Sequence, residues 1–196
     1  MPTLLPTRLP ADLSDRLGRA VAKTGITPNL ISFLGFLGSL AAGWLIIQGE
    51  LAWAGIVFLA GSALDLVDGA VARATGTASP YGAVFDAVLD RAGEAAVLAG
   101  AAWYFGDRGD ELGAVLCYLA LFGSVIVSYV RARAEIDGMQ MREGLFRRQE
   151  RVAVLGIGLI VGYPAVAIGI IAVLANLTAL QRGWMLSSYL RGHAEV

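Results

Sequence analysis

The sequence predicts an all-α integral membrane protein: six transmembrane helices preceded by an N-terminal amphipathic juxtamembrane helix. Three observations carry this expectation. Of 196 residues, 57% are hydrophobic and only 16% are charged, against roughly 25% charged in an average soluble domain. The apolar residues fall into six spans, about 30–48, 51–73, 81–106, 112–136, 149–163 and 164–185. The basic residues collect on one side of those spans, as the positive-inside rule requires. The length fits a single domain, 1–196, with an interfacial segment at 1–25, a six-helix bundle at 30–185 and a tail at 186–196.

The elements follow in order. Residues 10–24, "PADLSDRLGRAVAKT", place Leu13, Leu17, Ala20 and Val21 on one helical face. Asp12, Arg16, Arg19 and Lys23 lie largely elsewhere, a pattern suited to the membrane interface. "GITPN" breaks that helix, and Pro28 is a favourable first residue for the next. The first span contains no charge. The first four spans are close to or longer than the roughly 20 residues a bilayer crossing needs. The last two are separated only by "GYPA", Gly162 to Ala165, either a tight turn or a break in one long helix. The 25 glycines suit membrane helices, where small residues let backbones approach closely.

Six spans return both termini to one side. Arg8, Arg16, Arg19 and Lys23, then Arg73, then six arginines between Arg131 and Arg151, then Arg182 and Arg191 all fall there. The opposite side carries only Arg108. Both termini and the acidic segment are therefore expected on the cytoplasmic side. A cleavable signal peptide is not expected, because charges interrupt the apolar pattern of the first thirty residues. Trp44, Trp53, Trp103 and Trp184 lie near span ends, as an interfacial belt would. The lone Cys117 cannot form an internal disulfide and is read as packing, and His193 as a solvated tail residue. A net charge of −1 carries no argument for nucleic acid, and no such partner is expected.

The informative anomaly is "DLVDGAVARATGTASPYGAVFDAVLD", Asp65 to Asp90. Asp65 and Asp68 are three apart at the end of span 2, and Asp86 and Asp90 four apart at the start of span 3. Either spacing puts a pair on one helix face. The linker 74–81, "ATGTASPY", lets the two helices run antiparallel so that four carboxylates converge. Such a cluster repels itself unless cations are present. All-oxygen sites suit Mg2+ or Mn2+, and four carboxylates can hold two ions in the arrangement that clamps both oxygens of a phosphoryl transfer. Gly69 leaves room for a ligand, and Arg73 can pair with phosphate. An ion-pair cluster at helix ends is the plainer reading, but charges inside spans are functional by default.

These residues resemble a known family. Asp65-x-x-Asp68-Gly69-x-x-Ala72-Arg73, eight residues, Gly82, three residues, Asp86, three residues, Asp90 is similar to the signature of the CDP-alcohol phosphotransferases. The resemblance implies transfer of a phosphoalcohol from a CDP-linked donor to a hydroxyl acceptor, with release of CMP. It implies that Asp65, Asp68, Asp86 and Asp90 hold two Mg2+ ions and that Asp90 is also the general base. It implies that Gly69, Arg73 and Ser79 hold the CDP moiety, helped by Asn29, Leu30, Ile31 and Ser32. It also implies a homodimer.

The acceptor is addressed further on. "SYVRARAEIDGMQMREGLFRRQERV", Ser128 to Val152, holds six of the chain's fifteen basic residues. An anionic acceptor accounts for the excess; anchoring to anionic lipid accounts for part of it. The stretch resembles that of phosphatidylinositol-phosphate synthases and archaeal archaetidylinositol-phosphate synthases, through Ser128, Arg131 to Glu135 and Arg148 to Arg151. That resemblance implies acceptor-phosphate binding by Arg131, Arg151 and Arg182. Arg131 stands where bacterial relatives often have lysine. The expected reaction is CDP-diacylglycerol plus inositol 1-phosphate giving phosphatidylinositol phosphate and CMP. A glycerol 3-phosphate acceptor, or a diether donor, is the alternative. A transporter would scatter its charges across the spans, whereas here they cluster at one end. Arg91 and Glu94 flank Asp90 and either orient the site or pair with each other. Gly158-x-x-x-Gly162 is a weak helix-contact signal.

Overall fold

The computed structural model describes residues 16, 18–21, 23–141 and 144–193, with the backbone alone at Leu66 and His193. Most of the expected interfacial segment 1–25 lies outside these residues, as do Arg142 and the end of the tail. The part that is described is helical at Arg16 and at 18–21. There Gly18 sits so close to the next element that a Cβ would lie 2.6 Å from the Ala70 carbonyl oxygen.

Six helices follow: α1 (Pro28–Ile47), α2 (Leu51–Thr75), α3 (Pro80–Asp107), α4 (Glu111–Ile136), α5 (Arg148–Ile160) and α6 (Pro164–His193). Local chemistry sets their starts. Thr27 Oγ1 accepts the Leu30 N–H at 3.3 Å ahead of Pro28, and Ser79 Oγ accepts the Gly82 N–H at 3.1 Å ahead of Pro80. Asp110 Oδ1 accepts the Gly113 N–H at 2.8 Å. Each satisfies a donor that the first helical turn leaves open. Gly76 ends α2 with φ of +66°, a conformation that disfavours any side chain.

Three expected boundaries shift. The linker contracts from 74–81 to 76–79, because α2 continues to its glycine cap and α3 starts at Pro80. The 162–165 segment is a turn between two helices: Gly162 has φ of +78°, Tyr163 N–H donates to the Gly158 carbonyl at 2.8 Å, and Pro164 opens α6. Gly158 meets the Ala167 side chain within that hairpin, while Gly162 serves the turn, so the two glycines are not one contact motif. Lastly, α6 runs to His193 and takes in most of the segment read as tail.

Each helix packs chiefly against two others, in the cyclic order α1, α3, α4, α6, α5, α2 and back to α1. Small residues permit the close crossings: a Cβ on Gly43 would lie 2.7 Å from the Ala96 carbonyl oxygen, and one on Gly55 2.6 Å from that of Gly156. The core, with Ile46, Phe58, Leu98, Leu155, Leu159, Ile168 and Ile171, fills the end of the ring opposite the aspartates. Cys117 is buried within it. The outer face is apolar, with Trp44, Trp53, Trp103, Tyr118, Phe122, Val173 and Trp184 exposed, while Asp68, Glu94, Arg151 and Arg182 are buried inside. Polar groups within and large apolar groups without suit a lipid solvent.

Pro28–Ile47, Leu51–Thr75, Glu111–Ile136 and Pro164–Gly192 are long and apolar enough to cross a membrane. The other two helices differ from the six-span expectation for separate reasons. α3 has 28 residues but carries Asp86, Asp90, Arg91 and Glu94. α5 has only 13 residues, about 20 Å at 1.5 Å per residue, short of a hydrocarbon core about 30 Å thick.

Candidate active site

The aspartates stand on two antiparallel helices, Asp65 and Asp68 on α2 and Asp86 and Asp90 on α3. One carboxylate oxygen from each of Asp65, Asp68 and Asp86 lies within 4.8 Å of the others. Asp68 is buried and accepts a hydrogen bond from Ser32 Oγ of α1 at 2.5 Å. Gly35, one turn along α1, makes room for Asp65: a Cβ there would lie 3.0 Å from Asp65 Oδ1.

Asp90 joins the group through a residue that the sequence reading placed in the basic stretch but gave no role. Arg148, the first residue of α5, places Nη2 2.7 Å from Asp65 Oδ2 and 2.6 Å from Asp90 Oδ1. Three carboxylates are therefore brought together directly, and the fourth is linked to them by a guanidinium. Arg91 Nη1 lies 3.9 Å from Asp90 Oδ2 and donates to the Ala87 carbonyl at 2.6 Å.

The same contact accounts for the shortness of α5. Asp65 precedes the end of α2 by ten residues, about 15 Å at 1.5 Å per residue. Because Arg148 meets Asp65, α5 begins at that depth and needs only the remaining length to finish level with its neighbours.

A second buried layer lies directly behind. Glu94, one turn beyond Asp90 on α3, accepts from Arg151 Nε at 2.7 Å, Arg151 Nη2 at 3.0 Å and Ser124 Oγ of α4 at 2.9 Å. Glu94 therefore pairs with Arg151 across the ring. Only 3% of Arg151 and 8% of Glu94 are exposed, which makes this fork-to-fork pair a fully desolvated one. Arg182 on α6 is buried and donates to the Val127 carbonyl at 3.0 Å. Gly144 packs against its guanidinium, in a loop tied to α6 by Phe146 N–H to Thr178 Oγ1 at 3.1 Å and Leu145 N–H to Gln181 Oε1 at 3.2 Å. Arg131 is different: it is exposed on α4 and pairs with Glu135 at 2.9 Å. Of the three arginines read as acceptor ligands, two are interior and one is on the surface.

The residues read as nucleotide ligands divide likewise. Asn29 Oδ1 and Ser79 Oγ both flank Gly82, so α1 and the 76–79 turn meet there. A Cβ on Gly69 would lie 3.3 Å from Arg73 Nη1, so the Arg73 side chain folds back over that glycine. Ser32 reaches the site through Asp68. Ile31 is buried and Leu30 exposed.

Arg148 and Ser124 were given no role, and Glu94, expected to orient the site or to pair with Arg91, pairs with Arg151 instead. A signal for two of them was present: Asp90 and Glu94 are four apart, and Arg148 and Arg151 three apart, each pair on one helix face. Their pairing across the bundle was not.

The donor set fits a divalent cation. Three converging carboxylates are hard oxygen ligands of the kind Mg2+ and Mn2+ take. Asp86 Oδ1 is buried and has no hydrogen-bond partner, an arrangement that buried polar atoms rarely tolerate without a ligand.

Comparison with known proteins agrees with this geometry. The chain is 36% identical to an archaetidylinositol phosphate synthase of Pyrococcus horikoshii over 169 residues, 86% of this chain and 87% of that protein. It is 33% identical to a phosphatidylinositol phosphate synthase of Mycobacteroides abscessus over 192 residues, 93% and 87% of the two chains. Its fold is similar to that of the Mycobacterium tuberculosis phosphatidylinositol phosphate synthase with CDP-DAG bound, with a TM-score of 0.81 at 28% identity over 89% of this chain and 94% of that one. The same enzyme in complex with manganese and citrate gives a TM-score of 0.79 at 28% identity over 88% of each chain. The family model described as CDP-alcohol phosphatidyltransferase matches residues 25–186. A carboxylate cluster split across two antiparallel helices, a fold shared with these synthases and a family match over most of the length converge: the chain belongs to the CDP-alcohol phosphatidyltransferase family.

Proposed function

We propose that this protein transfers the phosphatidyl group of CDP-diacylglycerol to the hydroxyl of inositol 1-phosphate, forming phosphatidylinositol phosphate and CMP. The observation that carries the reading is the Asp65, Asp68 and Asp86 cluster, with Asp90 beside it and buried arginines behind. Asp65, Asp68, Asp86 and Asp90 hold two Mg2+ ions, for which Mn2+ can substitute. When bound, these ions neutralise the diphosphate and stabilise the attacking and leaving oxygens. Asp90 takes the proton from the acceptor hydroxyl. The acceptor oxygen then bonds to the phosphorus that carries the lipid, and the bond from that phosphorus to the CMP oxygen breaks. Gly69, Arg73, Ser79 and Asn29 to Ser32 hold the CDP end, and Arg73 supplies a planar fork for phosphate.

Arg151, Arg182 and Arg131 receive the acceptor phosphate. Support comes from Arg151 and Arg182, two guanidinium groups kept in the interior on the aspartate side of the bundle. Two synthases of inositol-phosphate lipids among the relatives support the acceptor. The archaeal relative supports a second reading, in which the donor is a diether lipid. Glycerol 3-phosphate, giving phosphatidylglycerol phosphate, carries the same phosphate and is the competing acceptor.

All six helices cross the membrane in this reading. The α3 charges sit toward its first half, and α5 spans only the depth left beyond Asp65. Both termini and the site then face the cytoplasm of a prokaryote, where the arginines gather, and the active form is a homodimer. The test uses purified protein with CDP-diacylglycerol and Mg2+. CMP release is expected with inositol 1-phosphate, and is compared with glycerol 3-phosphate, free inositol and serine. No acceptor-dependent CMP release with any of the four would refute the assignment.

A further inference from the structure

This inference rests on the metal centre proposed above. Arg148 Nη2 lies between Asp65 Oδ2 at 2.7 Å and Asp90 Oδ1 at 2.6 Å. Asp90 stands outside the group of three that can share one ion. The guanidinium thus sits on oxygens of Asp65 and Asp90 that would otherwise be open to help hold a second cation. Arg148 Nε is buried and without a hydrogen-bond partner. A buried donor left open is costly, and it is a place where an incoming acceptor atom gains.

We propose that Arg148 is a resident counter-cation that holds the second divalent-ion position until a phosphate group arrives, so that loading of the second ion is coupled to substrate. Charge decides the order. Four carboxylates beside the guanidiniums of Arg148 and Arg91 and one divalent ion are balanced. A second divalent ion with the guanidinium still in place makes the site net positive, and like charges a few ångströms apart in a low-dielectric interior repel strongly. A phosphate supplies the missing negative charge. It also offers the guanidinium two oxygens in a planar fork, satisfying Nη2 and the open Nε together. Arg148 swings from the carboxylates to the phosphate, and Asp65 and Asp90 are freed for the ion. Glu94 does not compete for Arg148, because Arg151 and Ser124 already occupy both its oxygens. The phosphate is either the donor's diphosphate or the acceptor's monophosphate, since both present the same oxygens.

The experiment measures Mn2+ bound per chain, by equilibrium dialysis and by electron paramagnetic resonance, on purified full-length protein. Wild type is titrated alone, with CDP, with inositol 1-phosphate and with glycerol 3-phosphate. One tightly bound ion is expected without phosphate. A second ion is expected to bind at least about tenfold more tightly in the CDP arm or in a phosphate-acceptor arm, with the spectrum of a spin-coupled pair. The arm that produces it names the source of the phosphate. R148Q is expected to bind two ions without any phosphate. Two equally tight ions on wild type alone would overturn the proposal. So would no strengthening in any arm, or an R148Q that unfolds at the wild-type temperature and still binds one ion. No Mn2+ in any arm would overturn the metal centre itself and this proposal with it. If R148Q does not fold, the wild-type arms decide.

Discussion

Substituting Glu94 with alanine removes the partner of Arg151 and leaves a guanidinium stranded in the bundle. Three hydrogen bonds end on that carboxylate, from Arg151 Nε at 2.7 Å, Arg151 Nη2 at 3.0 Å and Ser124 Oγ at 2.9 Å. With both members of the pair nearly inaccessible, water cannot replace the lost partner. Breaking a buried pair from one side costs about 3–5 kcal/mol. At about 2–4 °C per kcal/mol for a chain of this length, the thermal midpoint in detergent should fall well beyond measurement error. R151A strands Glu94 and should fall by a similar amount. The double variant, E94A/R151A, removes both charges and should lose far less than the sum, with a coupling of about 2–3 kcal/mol. The assay is a thermal-unfolding series on the four proteins. Single variants at the wild-type midpoint, or a strictly additive double, would show that the pair contributes nothing to the fold. The cycle also sharpens the acceptor test. A KM effect of R151A on inositol 1-phosphate is interpretable only beside E94A, in which Arg151 is retained but no longer held in place. If Arg151 binds the acceptor, both singles raise the acceptor KM more than the donor KM.

Two further predictions follow from particular contacts. D90N removes the proton acceptor while keeping the shape of the side chain, so CMP release should fall by at least about a hundredfold while CDP binding stays measurable; unchanged turnover would exclude Asp90 as the base. G43A puts a methyl group 2.7 Å from the Ala96 carbonyl oxygen, where backbone of α1 and α3 must separate, so a loss of about 1–3 kcal/mol is expected. G106A, which meets nothing within 4 Å, should leave the thermal midpoint level or slightly raised, and equal effects of the two would refute the close-crossing argument.

Much of the fold was legible because its signals are local. The apolar runs and Pro28 each act within a few residues, and the first helix starts at that proline. The limits of that reading were local as well. α5 starts at Arg148, within one residue of the expected 149, but the contact of that arginine with Asp65, across 83 positions, was not legible. α6 continued into the expected tail, where Leu186 packs with Ala134 and Met141, again distant in sequence.

The sequence by itself determined the family, through the spacing of its aspartates. Carboxylates three and four apart on two helices joined by a short turn were expected to converge, and three of the four do so directly. Only the tertiary structure decided how the charges pair. Spacing places Arg148, Arg151, Asp90 and Glu94 on helix faces but does not say which face meets which. In the interior every charge must find a partner or be lost to desolvation. For Arg151 and Arg148 the partners come from across the ring of helices, where Arg151 takes Glu94 and Arg148 takes Asp65 and Asp90.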